Sequence, residues 1–207
     1  MRAIVYHSSK VQGLKVISPR ISTHNKPWVY ATKGIATSAL FLGDNFDFIC
    51  QIGGDEKGIY VFERFQGAFK LAYGNKKGSI YSLDGSNFRE NQTDWSAELV
   101  SEKAENVLEE IYIENAEDYI MSLVDEKKIS LYLYPNLPEG VPKDKSDIVE
   151  RGISWTMQFG ENTLERVLEY HPDVLERVLR GLVNKGYEFK SDRWRTQSLI
   201  NNVDRVT

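Results

Sequence analysis

Cysteine is nearly absent from this chain: Cys50 is the sole one in 207 residues. A lone cysteine forms no internal disulfide and cannot build a zinc cluster, so no metal is expected. It follows Phe48 and Ile49, which marks it as a small buried hydrophobe, and one unpaired thiol suits a reducing compartment. Long apolar runs are missing too. No stretch approaches the ~18–20 apolar residues of a membrane span, and the opening MRAIVYHSSK is too briefly apolar for a secretory leader. The expectation is a cytoplasmic protein with no membrane partner. Nor is there an excess of positive charge. Lys and Arg number 26 against 30 Asp and Glu, a net −4, which gives no global attraction to nucleic acid or anionic lipid and leaves only local basic patches open. No G-x-G-x-x-G follows a strand-like run, so a Rossmann site is unsupported. Internal repeats and low-complexity tracts are also lacking.

What is present is an ordinary globular composition, 41% hydrophobic and 27% charged, on a chain long enough to bury a core unaided. The front reads as short strands between turns: Ala3–Tyr6, Leu14–Ile17 and Trp28–Ala31, then a small-residue helix within Thr32–Phe41. Phe46–Ile52, Gly58–Phe65, Gly67–Ala72 and Gly78–Leu83 read as further strands, the last two joined by a hairpin-like Gly74-Asn75-Lys76-Lys77. Glu98–Ser101 and Val107–Ile113 complete the strand-rich part. A helix over Ala116–Lys127 and a strand over Ile129–Tyr134 precede a linker with three prolines, Pro135–Pro142. Helical spacing follows over Asp147–Phe159, Thr163–Leu168 and Asp173–Val183, with Pro172 at the first turn of the last and Gly186 beyond its stop. From Lys190 no period is visible, which suggests a loose tail or a docked arm. The predicted class is α+β, with a strand-rich domain over 1–135, a helical extension over 143–187 and a tail over 188–207.

Few residues invite a chemical reading, and each has a plainer one. His7 follows the first strand, where a lone histidine is usually structural; His24 and His171 are weaker candidates still. Tyr30 and Phe41 have ten residues between them, across a strand and a short helix. Two such rings could sandwich a flat heterocycle, or pack in the core. Glu98 heads a short apolar strand and is either an exposed edge acid or a carboxylate able to stabilise positive charge on a sugar carbon. Glu102, beside Lys103 and Glu105, looks like a solvated turn. Trp95 is expected as a core indole, with an acceptor-recognising loop as the alternative.

Taken in order, these residues resemble the diphtheria-toxin-like and poly(ADP-ribose) polymerase branch of the ADP-ribosyltransferases. That branch carries a His ending its first strand, a Tyr and a second aromatic with ten residues between them, and a Glu opening a late strand. Tyr6-His7-Ser8-Ser9, then Tyr30 and Phe41 around Thr37-Ser38-Ala39, then Ala97-Glu98-Leu99-Val100-Ser101 match over about residues 3–113. The resemblance implies a split β-sheet core with short helices that binds NAD⁺ as co-substrate, with His7, Tyr30 and Glu98 catalytic. It further implies that His7, Ser8, Ser9, Tyr30, Thr32, Ser38 and Phe41 bind the cofactor and that Glu98 favours the charged form of the nicotinamide ribose. The partner would be a macromolecular acceptor, protein or nucleic acid. Ser8 stands where the family has Gly, and glycine allows close approach of backbone to ligand. Ser96 stands where arginine-modifying members have Glu or Gln, which argues against arginine as the acceptor. The RNA 2′-phosphotransferases of the same fold rely on arginines that find no match after His7. The alternatives are a nucleotide- or partner-binding module without turnover and an interaction protein using its helical end. A toxin, a phage-defence factor and a housekeeping modifier would share these features.

Overall fold

The computed structural model describes residues 3–22, 24–44 and 47–203. The chain is α+β. Seven strands form one antiparallel sheet: β1 (Ile4–Ser9), β2 (Val16–Ile17), β3 (Arg20–Ile21), β4 (Pro27–Thr32), β7 (Gly78–Asp84), β8 (Glu98–Ser101) and β9 (Glu105–Ile113). Their order is β2-β9-β7-β1-β4-β3, with β8 also paired to β4. A second sheet of three strands joins β5 (Cys50–Asp55), β6 (Gly58–Glu63) and β10 (Ser130–Tyr132) in the order β10-β6-β5.

Alternation along the strands explains why the large sheet is covered on both faces. In β7, Ile80 points into one core while Tyr81 and Leu83 point into another, as a period of two requires. The first core packs Ile80 and Ile113 against α1 (Ile35–Ala39), α2 (Ala68–Tyr73), α3 (Ala116–Asp125) and the small sheet. Cys50 is buried there, and burial pushes its thiol pKa up. The other face collects Val5, Val29, Ala31 and Leu99. Four helices follow the proline-rich linker: α4 (Ser146–Phe159), α5 (Asn162–Tyr170), α6 (Leu175–Asn184) and α7 (Asp192–Val203). Their apolar faces make a third core. Gly152 lets α4 and α6 approach, since a methyl group there would lie 3.0 Å from a Val178 methyl.

The helical segment is fastened to the strand-rich part. Phe48 inserts into the helical core. The wholly buried His171 bonds through Nε2 to the Phe48 carbonyl. Arg64, following β6, donates to Asp147 at 2.8 Å.

Three sequence expectations need correction. Gly67–Ala72 is not a strand. Ala68, Phe69, Ala72 and Tyr73 are buried at helical spacing, and they form α2. Gly67 starts that helix from a left-handed conformation (φ 81°), and the carboxylate of buried Glu63 accepts the Phe69 N–H at 2.8 Å. Gly74–Lys77 therefore links a helix to a strand rather than two strands. The segment Phe46–Ile52 turns over Asp47–Ile49 before becoming β5 at Cys50, and Phe46 lies outside the described residues. Asp192–Val203 is helical and is the docked arm of the two alternatives, with Trp194 buried in the helical core, Ser191 N–H bonded to Glu161 and Arg193 to Glu165. No helix of the described residues is long and apolar enough to cross a membrane.

Candidate functional site

The site is built where β1 and β4 part. They pair at Tyr6–Thr32, and β4 pairs with β8 at Thr32–Glu98. Tyr6, Thr32 and Glu98 therefore stand in one row across three strands, and two strand spacings put the outer backbones about 10 Å apart. One residue past Tyr6, the His7 side chain replaces the ladder: its Nδ1 lies 2.7 Å from the Tyr30 carbonyl oxygen. A carbonyl only accepts, so Nδ1 carries the proton and Nε2 is left as an acceptor. Burial pushes the His7 pKa down, and the nearby Arg20 charge adds to this against the opposing effect of the Tyr30 bond. The ring is neutral at neutral pH.

Two depressions flank this parting. The larger, about 710 Å³, is lined by Glu98, Phe41, Trp95 and His24 from the strand-rich part. Its other wall is α4, where Asp147, Glu150, Arg151, Ser154 and Trp155 recur at helical spacing on one face. The smaller, about 380 Å³, is lined by His7, Ser8, Ser9, Arg20 and Tyr30. The two meet at a stacked pair: the rings of His24 and Tyr30 are 5.8 Å apart at 29°, and His24 Nδ1 lies 3.2 Å from the Tyr30 hydroxyl. Both volumes fall in the ~300–1,000 Å³ range of small-molecule sites.

The residues expected from sequence divide between these depressions. Glu98 and Phe41 line the larger; His7, Ser8, Ser9 and Tyr30 line the smaller. Phe41 leans on Trp95 at 5.6 Å and 58°, while Tyr30 stacks on His24, so the two aromatics stand on different walls. Ser8 is tied back into the fold, its hydroxyl 2.6 Å from the Ser38 carbonyl and 2.8 Å from the Ser38 hydroxyl. Ser9 Oγ accepts the Val11 N–H at 3.1 Å. Thr32 and Ser38 are buried; Thr32 donates to the Gly34 carbonyl at 2.9 Å. These last two hydroxyls shape the turn and hold Ser8.

Charge differs sharply between the depressions. Burial raises the Glu98 carboxyl pKa above its ordinary value, opposed by a bond from Thr93 and the charge of His24. Burial also raises Tyr30, with the Glu98 charge adding to it, which places phenol and carboxylate within electrostatic reach. Asp47, Asp94, Asp147 and Glu150 join Glu98 in the larger cavity, against the single guanidinium of Arg151, which is paired with Asp47. The smaller depression holds Arg20 and four serines, with no carboxylate in its lining.

Trp95 is half-buried on the cavity wall rather than a core indole. Three contributors escaped the sequence reading. His24 reaches the site because the Asn25–Pro27 turn folds β3 back onto β4, and that turn was its only signal. Arg20 comes from the same hairpin. The α4 face was visible only as an alternation of acids and aromatics at helical spacing. Among the described residues no group of three or more His, Cys, Asp or Glu side chains is arranged to hold a metal ion. In comparisons with known proteins, no family model, no curated protein and no solved structure matches this chain.

Proposed function

We propose that the protein is an NAD-dependent ADP-ribosyltransferase with an ADP-ribosyltransferase-like fold, transferring ADP-ribose to a macromolecular acceptor and releasing nicotinamide. The observation that carries this reading is the single pairing of β1 with β4 at Tyr6–Thr32, with neutral His7 bonded to the Tyr30 carbonyl on one side of β4 and Glu98 on β8 at its other side. A dinucleotide with a cationic nicotinamide ring and an anionic diphosphate needs two chemically different places, and the site offers them. Within the serine-lined depression, Ser8 and Ser9 suit the nicotinamide amide and Arg20 suits a diphosphate. The acidic cavity around Glu98 suits a sugar carbon that gains positive charge as its leaving group departs.

NAD⁺ supplies a ribosyl carbon activated by its nicotinamide leaving group. The C–N bond to nicotinamide breaks with the electron pair going to nicotinamide. The acceptor nucleophile bonds to the same carbon and gives its proton to solvent. Glu98 holds the ribose and stabilises the positive charge. His7 Nε2 accepts from a ribose hydroxyl, its ring fixed by the Tyr30 carbonyl. The Ser8 backbone grips the nicotinamide amide with the Ser9 hydroxyl beside it. Tyr30 supplies an aromatic face for the ring, while Phe41 stands on the other wall against Trp95 and closes no sandwich on it. The Ser8 side chain is accommodated by Ser38 on the far side, so its backbone can serve where the family has glycine.

Calorimetric titration with NAD⁺ tests the reading. Wild type is expected to bind, and His7→Ala to lose about 2–12-fold in affinity, the worth of one neutral hydrogen bond. Absence of NAD⁺ binding by folded wild type would rule the proposal out.

A further inference from the structure

The larger cavity has more carboxylates than ribosyl chemistry uses. Asp94 and Glu150 are exposed on its rim, and neither meets a cation among the described residues. Asp47 is paired with Arg151 and Asp147 with Arg64, so the one cation in the lining is already engaged. The walls between these acids are aromatic. Trp95 leans on Phe41, and Trp155 is edge-on to Phe48 at 5.7 Å; both indoles are half-buried, each keeping some surface toward the cavity.

This combination discriminates between acceptors. A nucleic acid brings a phosphate at each step and needs free Lys or Arg to release its counterions. The cavity rim offers unpaired carboxylates instead, and the chain as a whole carries a net −4. A lysine- or arginine-rich peptide fits both features: its aliphatic stems lie on the indoles and its cationic heads reach the acids.

We infer that the acceptor is a basic protein segment, seated on the cavity lined by Trp95 and Trp155 with its cations directed to Asp94 and Glu150. The inference rests on the proposal that Glu98 is the transfer centre of an ADP-ribosyltransferase. The modified residue lies within or beside the basic run, whose charges position it.

Two assays on the full chain separate this inference from that proposal. The first uses no NAD⁺: tryptophan fluorescence is titrated with a Lys/Arg-rich peptide, a Glu-rich peptide and single-stranded DNA and RNA oligonucleotides. The basic peptide is expected to bind and to weaken with added salt. The double variant Asp94→Lys/Glu150→Lys, at exposed positions on the cavity rim, should lose on the order of tenfold or more in affinity. The second assay gives labelled NAD⁺ with the same pools, and label is expected on the basic peptide in wild type and reduced in the double variant. Nicotinamide release to water is read in wild type, so that the transfer centre is tested apart from the rim carboxylates. Preferential labelling or binding of an oligonucleotide would overturn the inference. So would normal nicotinamide release with no preference for the basic peptide, and in that case the transferase proposal stands. Basic-peptide binding lost in the double variant, without nicotinamide release by wild type, would refute the transferase and leave the cavity as a binding site for basic segments.

Discussion

Asp147→Ala should cost more stability than Arg64→Met, although both break the same ion pair. Arg64 is the more deeply buried partner, its side chain 1% exposed, while the Asp147 side chain is 25% exposed. Removing Asp147 strands a buried guanidinium whose Nε and Nη1 already find no acceptor among the described residues. Breaking a buried pair in this way costs about 3–5 kcal/mol, and the partial exposure of Asp147 lowers the figure to roughly 2–4 kcal/mol. For a chain of this size that is about 5–15 °C in Tm. Arg64→Met removes the stranded charge itself, fills similar volume and leaves Asp147 near solvent and Arg151, so its cost should be about 1–2 kcal/mol. Urea unfolding of the two variants and wild type, followed by far-ultraviolet circular dichroism, gives the comparison. A larger loss for Arg64→Met, or no loss for Asp147→Ala, would refute the view that this pair fastens α4, and with it the acidic wall of the site, to the strand-rich part.

Stability should fall as pH drops below about 6.5, because burial lowers the pKa of both His7 and His171 from that unfolded value. Each ring is neutral in the native state, so the unfolded chain takes up protons first, and stability present above pH 6.5 is lost toward the folded values. Imidazole NMR titration checks the direction, and a native titration above 6.5 for either ring would contradict it. Trp194→Ala should cost about 3–5 kcal/mol by emptying a buried indole site in the helical core, which thermal unfolding reads directly. An unchanged Tm would mean that the segment after Lys190 is not docked.

The strands β1, β4 and β8 were legible because they are short, β-branched and aromatic; their pairing into the row Tyr6–Thr32–Glu98 was not, and Thr32 was read with the helix that follows. The amphipathic helices after the linker were legible for the same local reason. What escaped was tertiary. Ala68–Tyr73 carries apolar pairs that suit either period over so short a run, and only burial on one side makes it α2. His24 and Arg20 approach His7 and Glu98 through a hairpin whose short strands give little alternation to read. The segment of α4 was legible only as a helix over Asp147–Phe159; Phe48, Arg64 and His171 set that helix opposite Glu98. Glu102 is exposed, as its charged neighbours suggested, and it pairs with Arg89.

The most direct test of the account is nicotinamide release from saturating NAD⁺ by wild type and Glu98→Gln, with circular dichroism and Tm to establish equal folding. The account predicts measurable release by wild type and a fall of about 10²–10³-fold in the variant, the scale of losing one preorganised charge contact to a transition state. Equal rates in the two folded proteins, or no release by wild type, would contradict it.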